Sequence, residues 1–231
     1  MSIQADVCMI VHNDVYHDGR VLREAASLAK DGLSVVIVGL TLNNSQIKEI
    51  NTAGFKIITP YNTLFENRIN NVTGRIRLLL QLVITFPMIS YHIRNIKARV
   101  YHAHDFTALL HLAILGMWNR PIVYDSHELF FDRPLTGIPG PIEWAIKQLR
   151  PLEKALARRT LASITVGDSI ADRLSQTLDI PRPVVVRNTV DLRNMGESGA
   201  DFEANGRRVM VHTGHLASGR HLPELVHALI Y

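Results

Sequence analysis

The chain has 231 residues, enough for one large domain or for one domain and part of a second. Hydrophobic residues make up 47% of it, which excludes a disordered protein, and its formal net charge of +4 comes without a long Lys/Arg tract, which argues against nucleic-acid binding. The single cysteine, Cys8, lies in an apolar run, so we expect a buried core thiol in a reducing compartment.

The first part of the chain alternates between strand and helix patterns. Asp6–Val11 is a nearly continuous apolar run, which is typical of a strand buried on both faces. Asp18 is placed to cap a helix whose apolar spacing starts at Val21 and stops before Gly32. The next segments, in chain order, are a strand at Ser34–Gly39, a short helix or irregular stretch at Gln46–Ala53, and a strand at Phe55–Thr59.

Thr73–Ala98 is predicted to form one long helix, which Pro87 kinks or breaks because proline removes a backbone donor. The apolar residues of this helix would cover the sheet, and the basic residues at its ends would be solvated. Alternatively, the helix rests on anionic lipid headgroups with these basic residues facing the membrane. The basic residues are Arg75, Arg77, Arg94, Lys97 and Arg99.

A strand–helix–strand unit lies at the centre of the chain. The strands Arg99–Ala103 and Pro121–Tyr124 flank the apolar helix Phe106–Met117, and in such a unit both strands point the same way. Ligands of open α/β sheets bind outside the carboxyl ends of the strands, so we expect a site where these two strands end. Ionisable residues follow both strands there: His102, His104 and Asp105 at the first end, and Asp125, His127 and Glu128 at the second.

The remaining residues are predicted to complete this sheet and to begin a second domain. The elements are a Pro/Gly-rich loop at Arg133–Pro141, a helix that opens at Pro141 or Ile142 and runs to about Leu161 with a solvated basic face, a strand at Ser163–Val166, a helix capped by Asp168 that ends near Leu178, and a strand at Pro183–Val186. Residues 1–190 would form the first domain, residues 191–206 a linker, and residues 207–231 the start of the second domain.

Six or seven strands separated by helices predict an α/β fold with a Rossmann-like, doubly wound parallel sheet. No G-x-G-x-x-G follows the first strand, and neither a Walker-type glycine loop nor a G-x-S-x-G elbow is present. These absences argue against a dinucleotide dehydrogenase, a P-loop enzyme and a hydrolase of that type.

Five segments in a fixed order resemble retaining glycosyltransferases of the large group 1 or family 4 class. They are His17–Gly32, Val100–Asp105, Val123–Phe130, Leu152–Leu174 and Val184–Asp191. The last stretch, Val211–Leu229, resembles the opening of the C-terminal domain of that family. The resemblance implies the GT-B fold, in which two Rossmann-like domains face each other across a cleft, and the second domain would be incomplete in this chain.

The resemblance also implies an activity. A sugar would pass from a nucleotide-sugar donor to an acceptor with its anomeric configuration retained, and no metal or other cofactor would be needed. The acceptor would be a lipid-linked compound or a polysaccharide in bacterial envelope synthesis. The sequence shows no signal peptide and no apolar run of the about 20 residues that span a bilayer. We therefore expect a cytoplasmic protein, with peripheral contact to the anionic inner face of the membrane.

The resemblance assigns roles to individual residues. His104 and Asp105 would be catalytic, beside the reacting sugar. The acceptor side would be formed by Asp18, Arg20, His127 and Glu128, and the donor side by Asn188, Gly214 and Arg220. A guanidinium near a helix N-terminus stabilises a leaving nucleoside diphosphate, which suits Arg220. The acidic pair that contacts the donor in this family would lie beyond Tyr231, so we expect either a fragment or a protein that binds without catalysis.

Structural explanations remain open for several of these residues. His104 and His127 could be hydrogen-bonded structural histidines, and Asp105 and Glu128 could cap the helices that follow them. His102 is expected on the sheet face opposite His104, and for that reason no metal site is expected from the histidines. Two competing functions also stay open: a nucleotide-sugar 2-epimerase-like enzyme of the same fold, and a non-catalytic module that binds a glycan or a protein partner.

Overall fold

The computed structural model describes residues 2–40, 48–52, 54–60, 85–132, 140–189 and 222–228. The chain divides into two compact units, Met1–Thr189 and Val190–Tyr231. Described residues of the second unit form one short helix. The predicted linker at 191–206 and most of the predicted start of a second domain at 207–231 lie outside the described residues, and both stay predictions.

A sheet of eight strands forms the centre of the first unit. In chain order the strands are β1 (Ile3–Asp14), β2 (Val35–Leu40), β3 (Lys48–Thr52), β4 (Phe55–Thr59), β5 (Ile96–His104), β6 (Ile122–Ser126), β7 (Ala162–Thr165) and β8 (Val184–Val185). Their spatial order is β3-β4-β2-β1-β5-β6-β7-β8. All neighbours are parallel except the edge pair β3 and β4. The predicted Rossmann-like α/β fold is confirmed.

Helices cover both faces of this sheet. They are α1 (Gly19–Lys30), which follows a 3-10 turn at Val15–His17, then α2 (residues 85–94), α3 (Asp105–Ile114), α4 (Gly140–Lys147), α5 (Arg150–Ala157) and α6 (Asp168–Leu178), with α7 (Leu222–Ala228) in the second unit. No helix in the described ranges combines the length and the apolar character that crossing a membrane requires.

The core has two layers because the strands bury both faces. On one face, Met9 of β1 and Ile37 of β2 pack against Val21 and Ala25 of α1. On the other face, a larger cluster joins β1, β5 and β6 to α2, α3, α5 and α6. Cys8 belongs to this second cluster and is fully buried, as predicted for a core thiol.

The predicted long helix ends earlier than expected. Residues 85–94 are helical, whereas Ile96 to Ala98 already belong to β5 and pair in parallel with β1 from Ile3 onward. The ladder with β1 therefore takes precedence over the helical pattern after Asn95. The predicted helical residues 73–84 lie outside the described part of the chain. The undecided segment before β4 contains β3, which pairs antiparallel with β4.

The predicted single helix up to Leu161 is wrong, because it is two helices separated at Gln148 and Leu149. Pro151 lies in the first turn of α5, where proline is tolerated because the N–H it lacks has no helical partner there. The same proline cannot continue a helix that arrives from α4. The helix, predicted to open at Pro141 or Ile142, begins one residue earlier, because Gly140 is the first residue of α4.

Of the two predicted helix caps, one is confirmed and one is wrong. Asp18 caps α1 by accepting the backbone N–H of Val21 at 3.1 Å. Asp168 is instead the first helical residue of α6, after Gly167 at the N-cap. Its carboxylate accepts hydrogen bonds from Arg182 and Arg187, and these bonds lower the pKa of Asp168.

Gly39 of β2 leaves no room for a side chain. An added Cβ would lie 2.2 Å from Cγ2 of Val15 and 2.7 Å from Cγ1 of Val11. We expect Gly39→Ala to lower the free energy of unfolding by about 1–3 kcal/mol, the usual consequence of overpacking, in urea denaturation. The matched control is Gly140→Ala, since no described atom lies within 4 Å of a Cβ added there. A loss of equal size in both variants would contradict this explanation.

Candidate functional site

The ionisable residues that follow β5 and β6 meet at the C-terminal edge of the sheet, as the predicted parallel unit requires. His104 of β5 is paired in register with Asp125 of β6. Met9, which packs against α1, is paired with His102. Since residues two apart in a strand share a face, His102, His104 and Asp125 all lie on the face that α1 covers.

Asp125 is the centre of this cluster and is fully buried. Arg20 of α1 holds its carboxylate: Nη2 donates to Oδ1 at 3.0 Å and to Oδ2 at 2.9 Å, and Nε donates to Oδ2 at 3.1 Å. The same guanidinium donates through Nη1 to the backbone carbonyl of Val186 at 2.6 Å. Arg20 therefore connects α1, β6 and the segment after β8.

Three imidazoles surround the same carboxylate. Oδ2 of Asp125 lies 3.3 Å from Nε2 of His127, 3.4 Å from Nδ1 of His104 and 3.7 Å from Nε2 of His102. The rings of His102 and His104 are stacked, with centroids 4.2 Å apart. The expectation that His102 and His104 lie on opposite faces is wrong, because strand alternation separates neighbouring residues and not residues two apart.

Burial and neighbouring charges shift the pKa values of the cluster residues in different directions. Burial alone would raise the pKa of Asp125, but the imidazoles of His102, His104 and His127 outweigh it and hold that pKa well below its usual range. Burial, with His102 beside it, lowers the pKa of His104 to about 3. Burial also opposes protonation of His127, yet Asp125 and Asp105 raise its pKa overall. The cluster thus contains an ionised Asp125, a neutral His104 and a readily protonated His127.

Two of the predicted residues, His127 and Asp105, reach the solvent side of the cluster. Their side chains are 17% and 28% exposed, whereas that of His104 is fully buried. Oδ1 of Asp105 accepts the backbone N–H of His127 at 3.0 Å, and α3 has no side-chain cap, so Asp105 does not act as the helix cap considered above. Asp105 has a φ of 63°, a left-handed conformation that aspartate tolerates better than most residues.

The five other predicted site residues are Asp18, Glu128, Asn188, Gly214 and Arg220. Asp18 caps α1 and accepts from Nδ2 of Asn13 at 2.8 Å. Glu128 is exposed after β6 and is followed by turns rather than by a helix, so it caps none. Asn188 is exposed and accepts a hydrogen bond from Arg23 of α1. The remaining two, Gly214 and Arg220, lie outside the described residues.

The sequence interpretation missed Asp125 as a site residue and missed Glu24 altogether. Both could have been found from spacing: Asp125 is two residues before His127 in a strand, and Glu24 is one helical turn after Arg20. Nη2 of Arg20 lies 3.0 Å from Oε1 of Glu24. Burial and the charge of Asp125 raise the pKa of Glu24.

A second polar chain, also missed, lies on the opposite face of the sheet. Nδ1 of His12 lies 2.9 Å from Nε2 of His111, whose Nδ1 lies 2.9 Å from Oγ of Ser90. Nε2 of His12 lies 3.1 Å from Oγ1 of Thr85. Burial lowers the pKa of His12 to about 4 and that of His111 to about 3. Every ring nitrogen is paired, so these neutral histidines are structural.

Comparisons with known proteins agree with this architecture. Residues 20–194 match the family model described as Glycosyltransferase Family 4. A sucrose-phosphate synthase from Thermosynechococcus elongatus aligns with a TM-score of 0.56 at 13% identity, over 83% of this chain and 49% of that one. A UDP-forming α,α-trehalose-phosphate synthase from Burkholderia vietnamiensis gives 0.46 at 13% identity, over 77% and 43%. No curated protein matches the chain.

The structural likeness at this identity concerns the fold alone, and it rests on the sucrose-phosphate synthase. This chain spans about half the length of that protein. The family match, in contrast, covers both the cluster around Asp125 and the rim residues Asp105 and His127.

The cluster also offers potential metal ligands. Glu24, His102, His104 and Asp125 each provide one ligand atom, and these atoms lie within 4.8 Å of one another. Imidazole and carboxylate donors suit Zn²⁺. However, Arg20 already contacts both carboxylates, at 3.0 Å from Glu24 and 2.9 Å from Asp125. A dication would repel this guanidinium strongly in a buried site, so we interpret the cluster as an ion-pair network in which Arg20 provides the positive charge.

Zn²⁺ should therefore not bind at this cluster. After EDTA treatment, equilibrium dialysis of the full chain with Zn²⁺ should give the same uptake for the wild type and for His102→Ala, and the melting temperature should not rise. Arg20→Met is the positive control, because it removes the competing cation and leaves all four ligands. Stoichiometric uptake by the wild type that His102→Ala abolishes would show that the metal interpretation is right.

Proposed function

The chain belongs to glycosyltransferase family 4, and on this basis we propose that it takes part in transferring a sugar from a nucleotide-sugar donor to an acceptor. The rim formed by His127 and Asp105 is the acceptor side. The observation that carries this proposal is the pair itself: a partly exposed imidazole and carboxylate at the C-terminal edge of a parallel sheet, backed by a buried ion pair.

This rim has the chemistry that a sugar acceptor requires. In a transfer, one acceptor hydroxyl must be oriented toward the donor and must give up its proton. Nδ1 of His127 and Oδ2 of Asp105 lie 3.9 Å apart, a separation that one acceptor hydroxyl group can bridge with a hydrogen bond to each. Asp125 and Asp105 raise the pKa of His127 above its ordinary value, which favours uptake of that proton by its imidazole.

His104 receives a different role from the one first expected. Its side chain is fully buried and its Nδ1 lies 3.0 Å from Nε2 of His127. We therefore assign contact with the acceptor to His127, and support of that imidazole to His104. A catalytic role for His104 stays a prediction that the variants below test, and a catalytic role for Asp105 also stays a prediction.

The finer parts of the proposal come from the sequence resemblance. They are retention of configuration, a lipid-linked or polysaccharide acceptor in bacterial envelope synthesis, a cytoplasmic location, and a donor side formed by Asn188, Gly214 and Arg220. The resemblance also implies that transfer needs no resident metal. Asn188 lies two residues after Val186, whose carbonyl accepts from Arg20, and accepts a hydrogen bond from Arg23 of α1.

A screen of nucleotide-sugars tests the proposed transfer. The full-length protein should release nucleoside diphosphate from at least one donor only when an acceptor is present, and NMR of the product should show the retained anomer. His127→Ala should reduce turnover by about 10²-fold or more, the lower range for a positioned acid–base group. His104→Ala should reduce it less and should lower thermal stability as well, because it empties a buried position.

Asp6→Asn is the matched control for these variants. Asp6 is an ion-paired carboxylate bound to Arg99 and Ser34 at the opposite edge of the sheet, so turnover should not change. Donor turnover without any acceptor would favour the epimerase-like alternative. Binding of glycans that survives His127→Ala, without consumption of any donor, would favour the non-catalytic module.

Contact with an anionic membrane remains part of the proposal, although one of its premises has changed. Lys97 and Arg99 lie in β5 rather than at a helix end, and Arg99 donates to Asp6 at 3.1 Å. Neutralising Arg75, Arg77 and Lys97 to glutamine should weaken co-sedimentation with phosphatidylserine vesicles. Neutralising Lys30, Lys147 and Lys154 removes the same charge elsewhere and is the control. Equal binding by both triple variants would exclude a specific contact.

A further inference from the structure

Asp125 does not reach the rim, yet it touches the residue that does. We propose that Asp125 is a positioning residue: locked by Arg20, its carboxylate keeps the proton shared by His104 and His127 on His127, and leaves Nδ1 of His127 facing the rim. The proposal rests on the proposed function only in taking this rim as the acceptor side.

The first step is that the carboxylate of Asp125 cannot turn. It accepts three hydrogen bonds from Nε and Nη2 of Arg20, in a bidentate arrangement with both atoms of the fork engaged. Arg20 is in turn fixed by its bond to the carbonyl of Val186 and is only 5% exposed. Oδ2 therefore stays directed toward the imidazoles.

The second step is the assignment of the shared proton. Nδ1 of His104 and Nε2 of His127 lie 3.0 Å apart, so one of them donates to the other. His127 is the better carrier for two reasons. It alone has Asp105 beside it, and its side chain is partly exposed whereas that of His104 is fully buried. Burial penalises charge, so His104 stays neutral.

The third step follows from proton balance. With the proton on Nε2, neutral His127 has its lone pair on Nδ1, at the rim. As the acceptor oxygen bonds the anomeric carbon, the bond from that carbon to the nucleoside diphosphate breaks and the diphosphate leaves with the electron pair of that bond. Nδ1 takes the proton of the acceptor hydroxyl, which gives an imidazolium, and the same nitrogen later releases this proton to solvent. Nε2 keeps its proton throughout. The carboxylate of Asp125 stabilises the imidazolium and stays ionised.

The charges around His127 come from several elements, so the sign of each variant can be derived. The titratable and charged groups that face it in the described part of the chain are Asp125 of β6, Asp105 of α3, His102 and His104 of β5, Arg20 and Glu24 of α1, and Glu128 next in sequence. Removal of the negative charge of Asp125 should lower the pKa of His127. Removal of the positive charge of Arg20 should raise it.

Imidazole NMR tests this inference without any substrate. Long-range ¹H–¹⁵N correlation spectra of the full chain, recorded across pH 4.5 to 9 and assigned through His127→Gln, report both tautomer and pKa. The wild type should show His127 protonated on Nε2, with a pKa above the ordinary value of about 6.5. Asp125→Asn should lower that pKa by about 1 unit or more, and Arg20→Met should raise it.

A second variant keeps the test decisive if Asp125→Asn does not fold. The single variant leaves the buried guanidinium of Arg20 without its bidentate partner and with Glu24 as its remaining carboxylate, whereas the double variant Arg20→Met/Asp125→Asn removes both charges of the pair together and should be tolerated. The pKa of His127 in the double variant should lie below that of the wild type, because Asp125 contacts His127 directly and outweighs Arg20. Asp6→Asn, which removes an ion-paired carboxylate at the opposite edge, should leave the pKa of His127 unchanged.

Activity provides the remaining readout. In Arg20→Met/Asp125→Asn the acid limb of the pH–rate profile should move to lower pH together with the pKa of His127 measured by NMR. The single variant Asp125→Glu keeps a carboxylate and should show a smaller shift of both. Unchanged tautomer and pKa in a folded double variant would overturn the inference and leave the proposed transfer intact. If the pKa of His127 shifts as expected but no sugar is transferred, the positioning role of Asp125 is supported and the proposed function fails.

Discussion

The bidentate ion pair between Arg20 and Asp125 is the constraint on which the site depends. The two residues are 105 positions apart in sequence, and both are almost completely removed from water. Burying two charges is unfavourable unless each finds full hydrogen bonding, and removing one partner leaves the other uncompensated. Here the geometry meets that condition, because the guanidinium also bonds the carbonyl of Val186. The pair therefore stabilises the meeting of α1, β6 and the segment after β8, which are the elements around the site.

The side chains of the cluster differ in how far they are exposed, and this separates buried side chains from those that a ligand can reach. Asp125 and His104 have no exposed side-chain surface, His127 has a little, and Asp105 has more. Because burial disfavours charge, the imidazole nearest to water is the one that most easily becomes charged. Asp105 lies at the junction of β5 and α3 and itself adopts the left-handed conformation, which places it beside His127 and stores a modest amount of strain. Strain and a perturbed pKa are thus found together at the same rim.

The sequence was sufficient to predict the sheet and the edge at which the ionisable residues meet. Continuous apolar runs marked the buried strands, and ionisable residues marked their ends, because both features follow from local composition. The partners of those residues could not be predicted in the same way. Contact between Arg20 and Asp125 depends on how α1 is rotated and on the reach of a long side chain, and neither is visible locally. Two other errors could have been avoided from the sequence. The two-residue period of a strand places His102 on the same face as His104. The missing N–H of Pro151 predicts that the helix breaks before it.

The rotation of α1 links the hydrophobic core to the charged cluster. Val21 and Ala25 pack against the sheet, while Arg20 and Glu24 immediately precede them and lie about 100° away around the helix axis. A helix rotated to bring other residues toward the sheet would lose both its apolar packing and the contact with Asp125. Asp18 fixes where α1 begins by accepting the N–H of Val21, and it is itself held by Asn13 at the end of β1. The cap, the apolar stripe and the buried guanidinium therefore specify one orientation of the same helix. Because that orientation delivers Arg20 to Asp125, the packing of an ordinary core helix also sets the charge state of the imidazole at the rim.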